Sequence, residues 1–253
     1  MTASFTSRPG PWHGRRLACV GRYLPPLLAD QVLLDTALQW SPSVQVLLLT
    51  APDDVLDPLQ RLGWLQEMAP AAGIVPIALG REPRDPRGEV AELHELIASS
   101  PLVRPEALVG PGLRDRALAA ALGLPYLPVD VSAWSADPAD VLRRPLAHWD
   151  ALPGPVRAHF LKRVVVMGPE STGKTTLARD LAAAFGTAWT SEYLRLHLDA
   201  KGSPCTPDDL PLVVAGHQAT EAATARRAVR VLFCDTDPLM TAVYSRFYYG
   251  TLP

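Results

Sequence analysis

The chain has 253 residues, a hydrophobic fraction of 48% and a formal net charge of −2. This length allows one large domain or two modest ones, and the apolar content is sufficient for hydrophobic cores. The near-neutral charge, without a block of lysines or arginines, argues against capture of nucleic acid or of an anionic membrane, and no apolar run is long enough to span a bilayer.

The first half of the chain alternates apolar runs with segments of helical spacing. Residues 1–14 lack the apolar core of a signal peptide, and we predict a disordered lead-in there. The pattern then predicts strands over 17–21, 44–50, 74–79, 107–110 and 126–131, and helices over 30–40, 57–68, 88–98 and 114–122. Continuously apolar strands with helices between them indicate a parallel sheet covered on both faces. Residues 15–131 are therefore predicted to form a doubly wound α/β domain.

A glycine-bounded loop lies between a buried strand at 164–167 and a helix over 175–185. It follows a proline-dotted segment, 132–162, that we predict to be a linker, and it opens a second domain over 163–253. The loop fits G-x-x-x-x-G-K-[ST], the P-loop that surrounds nucleotide phosphates with backbone N–H groups at a helix N-terminus. The predicted nucleotide-binding residues are Gly168, Pro169, Glu170, Ser171, Thr172, Gly173, Lys174, Thr175 and Thr176.

Within this loop, Lys174 is placed to reach the β- and γ-phosphates, and the Thr175 hydroxyl is placed to contact Mg²⁺. The alternative is a glycine turn with a solvated lysine. Only three of the 24 basic residues are lysines. One of these three, Lys174, occupies the motif position at which the compact charge of an ammonium group is needed. This favours the phosphate-binding interpretation.

Acidic residues follow two further predicted strands, over 187–191 and 229–234. Glu192 is placed to orient an acceptor hydroxyl and take its proton, and Arg195 to contact substrate or phosphate. The alternative is a helix-start glutamate stabilised by the helix dipole, with a surface arginine one turn later. Asp235 is predicted to hold the hydration shell of Mg²⁺. Asp237 is predicted to contact the substrate ribose or support the site indirectly, and the alternative is an Asx turn that caps the next helix.

Several of these segments resemble the NadR family, which joins a nicotinamide-mononucleotide adenylyltransferase domain to a ribosylnicotinamide kinase domain. The matching elements are the P-loop, E-Y-x-R at 192–195, D-T-D-P at 235–238 and the tryptophan-containing segment 145–153. The resemblance implies a Rossmann-like nucleotidyltransferase-type domain followed by a P-loop kinase domain. It implies ATP and Mg²⁺ as cofactors, nicotinamide riboside as acceptor, and catalytic roles for Lys174, Glu192 and Asp235.

The first domain departs from the family pattern G-[RK]-F-x-P-x-H-x-G-H, whose histidines contact ATP phosphates. Here residues 21–30 read G-R-Y-L-P-P-L-L-A-D, so the two histidine positions hold Leu27 and Asp30, and Ala29 replaces a glycine. Leucine donates no hydrogen bond to a phosphate, and a carboxylate repels one. We therefore predict a degenerate domain without adenylyltransfer.

The second domain is predicted to be partial, because only three strands precede residue 253. In this fold class the P-loop strand is central, whereas here it would be an apolar edge, which natural proteins usually avoid. A fragment is the favoured explanation, and an edge covered by another chain is the alternative.

Together the motifs predict nucleotide binding, and the resemblance implies an ATP-dependent kinase that phosphorylates the 5′-hydroxyl of a ribosyl nucleoside in NAD biosynthesis or salvage. The alternative is a non-catalytic nucleotide-binding regulatory module. The predicted partner is a small-molecule nucleoside, with no nucleic acid and no membrane, and homo-oligomerisation is left open. The scattered cysteines Cys19, Cys205 and Cys234 predict a reducing cytoplasm without disulfides or a zinc site.

Overall fold

The computed structural model describes residues 10–80, 86–250 and 252 of the chain. The chain divides into two compact units, Met1–Val156 and Arg157–Pro253. The described residues of each unit contain a parallel sheet with helices between its strands, which confirms the predicted α/β class. The domain boundaries predicted at 131 and 163 stay predictions.

Strands and helices alternate through the described part of the first unit. The strands are β1 (Leu17–Gly21), β2 (Val44–Thr50), β3 (Gly73–Ala78), β4 (Ala107–Gly110) and β5 (Tyr126–Pro128). The helices are α1 (Leu28–Trp40), α2 (Pro58–Met68), α3 (Pro86–Ser99), α4 (Leu113–Ala121) and α5 (Pro138–Arg143). A further helix, α6 (Gly154–Phe160), contains the boundary between the two units.

The first sheet has the strand order β3-β2-β1-β4-β5, with every pair parallel. The inner strands are buried on both faces, as their continuous apolar sequence requires; Leu17, Leu47 and Leu108, one from each of three neighbouring strands, are fully buried. Pro76 lies in the edge strand β3, where a missing N–H is tolerated. The order reverses between β1 and β4, which creates a crevice at the carboxyl ends of these strands.

The predicted lead-in falls largely outside the described residues. Its last residues, 10–14, take part in two hydrogen-bonded turns, in which the N–H groups of His13 and Arg15 donate to the carbonyls of Gly10 and Trp12. The predicted linker contains α5 and two 3₁₀ turns, one of which holds the buried Trp149 and contacts α1. Residues 132–156 are thus part of the first compact unit.

A buried ion pair anchors the loop that follows β1. The Arg61 guanidinium, on α2, is 0% exposed and donates to the carbonyls of Arg22 and Leu49 over 2.7 and 3.1 Å. Its other terminal nitrogen donates to the Asp54 carboxylate, which is 1% exposed and also accepts from Arg22. Arg61 therefore joins α2, β2 and the loop after β1 through charge-assisted hydrogen bonds.

The described part of the second unit begins with the P-loop strand. Its strands are β6 (Lys162–Val166), β7 (Trp189–Thr190) and β8 (Val231–Asp235), and its helices are α7 (Lys174–Phe185), α8 (Tyr193–Lys201), α9 (Leu210–Ala225) and α10 (Pro238–Tyr249). The strand order is β6-β8-β7, all parallel. Among the described residues β6 is therefore an edge strand, as predicted.

The core of this unit forms where α7 covers one face of its sheet. Ala178 and Ala182 of α7 pack against Phe233 of β8, and Phe185 contacts the same ring edge-on with centroids 5.5 Å apart. Small residues on the helix let it approach the sheet closely. No helix in the described parts of either unit has both the length and the apolar character that crossing a bilayer requires.

Helix α8 packs against α9 where a glycine leaves room for a tyrosine ring. A Cβ atom added at Gly216 would lie 2.1 Å from the ring of Tyr193. We expect Gly216→Ala to lower the free energy of unfolding by about 1–3 kcal/mol, because the ring must move. Gly63 of α2 is the matched control, since a Cβ there meets nothing within 4 Å. Urea unfolding should show Gly63→Ala unchanged or stabilised; equal stability of both variants would contradict this packing.

Candidate functional site

The P-loop folds as a closed turn between β6 and α7. Gly168 has a φ of +153° and Gly173 a φ of +87°, a region that favours glycine. Between them Ser171 also has a positive φ of +60°, and the Thr172 hydroxyl donates to the carbonyl of Pro169 over 2.8 Å. The two glycines of the motif therefore lie where the backbone adopts conformations that favour glycine. Such a loop at a helix N-terminus suits a bound anion.

Lys174 is the first residue of α7, and its side chain lies over the loop. Its Nζ atom donates to the carbonyl of Pro169 over 2.8 Å, and its side chain lines the cavity described below. The ammonium group is thus hydrogen-bonded to the loop itself. Its role in phosphate binding stays a prediction.

Thr175 and Asp235 meet at the carboxyl ends of β6 and β8. The Thr175 hydroxyl donates to Oδ2 of Asp235, and the aspartate is 1% exposed. Its other oxygen, Oδ1, is buried without a hydrogen-bond partner in the described structure. A buried carboxylate oxygen that lacks a partner, next to a threonine hydroxyl, fits a hydrated Mg²⁺.

Elsewhere, the described residues contain no group of three or more histidine, cysteine, aspartate or glutamate side chains that would hold a metal ion. Mg²⁺ in phosphoryl-transfer sites is bound by one or two protein oxygens, with phosphates and water completing its shell.

A cavity of about 590 Å³ opens beside the P-loop. Its lining includes Glu170, Ser171 and Lys174 of the loop and Glu192 at the start of α8, and we call this set the phosphate end after its predicted ligand. Apolar and aromatic residues also line it, and we call them the apolar end: Leu194, Leu198, Pro204, Leu210, Tyr244, Tyr248 and Tyr249. The remaining lining residues are polar or small: Arg195, Asp199, Cys205, Thr236, Thr241 and Ser245. A lining of this mixed kind suits a ligand that has both charged groups and a flat ring.

Glu192 and Arg195, predicted on the acceptor side, both line this cavity. Glu192 is the N-cap residue of α8, but its side chain makes no capping hydrogen bond. It accepts instead from Arg195 over 3.4 Å, and the arginine is largely exposed. The glutamate lies at the start of a helix with an exposed arginine one turn later, so the geometry is also that of the helix-dipole alternative. The catalytic role stays a prediction.

Asp237 lies apart from these groups. Its side chain accepts from the N–H of Met240 over 2.9 Å and caps α10. It is not among the residues that line the cavity, whereas its neighbour Thr236, with a φ of +71°, is. The geometry favours the capping alternative, and contact with the substrate ribose stays an unsupported prediction.

The tyrosines that line the apolar end of the cavity were not predicted from the sequence. Tyr244 and Tyr248 stack one helical turn apart on α10, with ring centroids separated by 6.2 Å. The sequence offers one indication of this lining on α8, where Leu198 and Asp199 lie three and four residues after Arg195 and therefore on the same face of the helix. The spacing of the tyrosines does not indicate a cavity, because aromatic residues one helical turn apart are equally typical of a helix packed in a core.

Comparison with known proteins supports the sequence motifs. Residues 163–253 match a family described as an AAA domain. Two curated relatives, the trifunctional NAD biosynthesis/regulator proteins NadR of Salmonella typhimurium and Escherichia coli, are each 30% identical over 116 residues. The chain is homologous to NadR over part of its length. Each match covers 44% of this chain and 28% of the NadR relative.

Solved structures of NadR share the fold. One, of NadR in complex with NR, has a TM-score of 0.71, and another, in complex with NAD and AMP-PNP, has a TM-score of 0.72. Each is 23% identical and covers 93% of this chain and 73% of the NadR chain. This agreement extends to both units and confirms the predicted fold class.

The first unit contains a cleft of about 1020 Å³ where the NadR pattern places its adenylyltransferase motif. Leu27 is buried and is the N-cap residue of α1, and Asp30 accepts from the Leu27 N–H over 2.7 Å. The three arginines that line the cleft are already paired: Arg22 with Asp54, Arg114 with Glu89 and Asp115, and Arg143 with Asp140. The loss of adenylyltransfer stays a prediction, and these pairings agree with it.

Asp30 provides a pH-dependent test of this region. Burial raises the pKa of its carboxyl to about 6, although the hydrogen bond from the Leu27 N–H acts in the opposite direction. A folded-state pKa above the unfolded value of about 3.9 means that the folded chain binds more protons between these values. Stability therefore falls as pH rises from about 4 to about 6, and it levels off above the folded-state pKa.

We therefore expect Asp30→Asn to raise the free energy of unfolding by about 1–2 kcal/mol at pH 8, with the gain disappearing near pH 4. The amide oxygen still accepts the hydrogen bond from Leu27. Urea unfolding at several pH values measures the difference, with Asp35→Asn, an exposed position on the same helix, as control. If the free energies of unfolding of the variant and wild type differed by the same amount at every pH, burial would not destabilise the ionised carboxylate.

Proposed function

We propose that the second unit is an ATP-dependent kinase that transfers the γ-phosphate of ATP to the 5′-hydroxyl of a ribosyl nucleoside in NAD biosynthesis or salvage. The observation that carries the proposal is the joint geometry of the P-loop and Asp235. Thr175 and Asp235 are hydrogen-bonded at the ends of adjacent strands, and Lys174 lies over the loop beside an open cavity. This set provides the donors and the carboxylate that phosphoryl transfer requires.

Mg²⁺ would be held on the side of Thr175 and Asp235, through the threonine hydroxyl and the unpartnered carboxylate oxygen. When bound, it neutralises charge on the β- and γ-phosphates. The contribution of the protein is to keep the carboxylate buried and oriented, and to hold the Lys174 ammonium over the loop. The backbone N–H groups of residues 168–176 would surround the phosphates.

The acceptor would occupy the remainder of the cavity. Glu192 would orient the 5′-hydroxyl and take its proton as the bond from oxygen to phosphorus forms and the bond to ADP breaks. Arg195 would contact the substrate or its new phosphate. The ring of the base would lie at the apolar end, against Tyr244 and Tyr248. Nicotinamide riboside is the proposed acceptor, since NadR has been crystallised in complex with NR.

The test is transfer of label from γ-labelled ATP to nicotinamide riboside, in the presence of Mg²⁺, with other ribonucleosides as competing acceptors. The expected result is a labelled mononucleotide that forms from nicotinamide riboside and requires Mg²⁺. We place this activity in the cytoplasm, where the three cysteines, which are free in the structure, would stay reduced.

A non-catalytic regulatory module is the alternative, and the same assay separates the two. Binding of ATP without transfer to any nucleoside would favour the module. Labelled product would exclude it. The paired arginines of the first-unit cleft are compatible with both alternatives, so the decision depends on the second unit.

A further inference from the structure

A cluster of charged and polar groups surrounds Asp209 between α8 and α9. Oδ2 of this aspartate accepts from Lys201 Nζ over 2.5 Å, from the Thr206 N–H over 2.7 Å and from the Thr206 hydroxyl over 2.9 Å. Oδ1 pairs with His197 Nε2 at 3.0 Å. The aspartate is 7% exposed, so one buried carboxylate gathers donors from α8 and from the segment that follows it.

These bonds fix the segment 202–206, which forms part of the cavity wall. Pro204 and Cys205, in its centre, line the cavity, as does Leu210, the residue after Asp209. Lys201 also donates to the carbonyl of Pro204 over 3.2 Å, and the Tyr249 hydroxyl donates to that of Cys205 over 2.8 Å. Asp209 and Tyr249 of α10 thus both hold this wall, at the neighbouring residues Thr206 and Cys205.

The Lys201 ammonium, followed by His197 and the Thr206 N–H, holds the pKa of Asp209 well below its usual range. The carboxylate therefore stays ionised at neutral pH, and its bonds to the segment are charge-assisted. An uncharged replacement at this position would weaken all of them together.

We propose that Asp209 is a positioning residue for the acceptor end of the cavity. It acts through residues 202–206 and through α8, which also carries Glu192 and Arg195. This inference rests on the proposed function, because it assigns the apolar end of the same cavity to the acceptor. The phosphate end has its own hydrogen bonds, from Thr172 and Lys174 to Pro169, and none of them involves the Asp209 cluster.

The separation between the two ends makes the inference testable by steady-state kinetics. In Asp209→Asn, the amide keeps an acceptor oxygen but loses the charge. We expect the KM for the nucleoside to rise about tenfold, the change that corresponds to one weakened charge-assisted bond. The KM for ATP and kcat should change less than about twofold. Asp208→Asn, at the exposed neighbouring position, is the matched control and should behave as wild type.

Hydrogen exchange provides a second measurement that does not need turnover. In Asp209→Asn, peptides covering 202–209 should lose protection, while those covering 168–178 keep it. A nucleoside KM equal to that of wild type, or equal losses for ATP and nucleoside, would overturn the inference.

Failure of the proposed function is a different result. If wild type transfers no phosphate, the kinase assignment fails, and hydrogen exchange alone then decides the role of Asp209. Loss of protection confined to 202–209 would support positioning of this wall. Unchanged protection, or loss spread over both segments, would contradict it.

Discussion

Replacing Lys174 with methionine is expected to lower the rate of phosphoryl transfer by about 10²- to 10³-fold, the usual effect of removing one donor from a site where charge develops. Methionine keeps the length and much of the volume of the side chain and removes only its charge and its hydrogen bonds. The loop should stay folded, because the bond from Thr172 to Pro169 does not depend on the ammonium.

The measurement is kcat/KM for ATP, with Lys162→Met as control. Lys162 is an exposed lysine at the start of β6, so its replacement changes the net charge equally without touching the loop. The control should keep nearly the full rate. A Lys174→Met variant that retained more than about a tenth of wild-type activity would contradict the assigned role, since a single well-placed donor is worth more than that.

Asp54→Ala is expected to destabilise the first unit by about 3–5 kcal/mol, because it leaves the buried Arg61 without its carboxylate partner. Burial alone would raise the pKa of Asp54, but the Ala51 N–H and the two arginines outweigh it and lower the pKa. The carboxylate therefore stabilises the fold above its unfolded pKa of about 3.9, and this contribution is lost as pH falls below that value.

Urea unfolding, combined with hydrogen exchange of the β1 and β2 amides, would report this loss for the first unit. Asp53→Ala, at the exposed neighbouring position, should leave stability unchanged. A double variant, Asp54→Ala with Arg61→Leu, should recover part of the loss, because no buried charge is then left unpaired. Equal stability of Asp54→Ala and wild type would mean that the ion pair contributes nothing to the fold.

Much of the fold is predictable from local pattern. Strands such as 44–50 and 107–110 are continuously apolar and bounded by turn residues, so their limits are found as predicted. The limits of β5 and β7 differ from the predicted ones. β5 ends at Pro128 rather than at residue 131, and β7 contains only Trp189 and Thr190 rather than residues 187–191. These differences arise from hydrogen bonds to neighbouring strands, which a single segment does not reveal. Helices α8 and α10 have no capping box in the sequence. They entered only through the alternatives for Glu192, at the start of one helix, and for Asp237, as the cap of the other.

The residues of the candidate site likewise include some that the sequence predicts and some that it does not. The P-loop and Asp235 are predictable because one short motif, or one strand followed by an acid, contains the whole signal. The role of Asp237 depends on whether its side chain accepts a hydrogen bond from the N–H of Met240, and the sequence alone does not determine this. The Asp209 cluster was not predicted at all, because its donors lie up to 12 residues from Asp209 in the chain and meet it only after α8 and α9 pack.

The strand order β6-β8-β7 sets the distance between the carboxyl ends of the two outer strands. Neighbouring strands lie about 4.8 Å apart, so the ends of β6 and β7, with β8 between them, are separated by about 10 Å. Lys174 follows the first of these ends and Glu192 the other, and Asp235 lies at the middle one. In the kinase reaction that we propose, the phosphoryl group and the acceptor hydroxyl would lie in this gap, between Lys174 and Glu192.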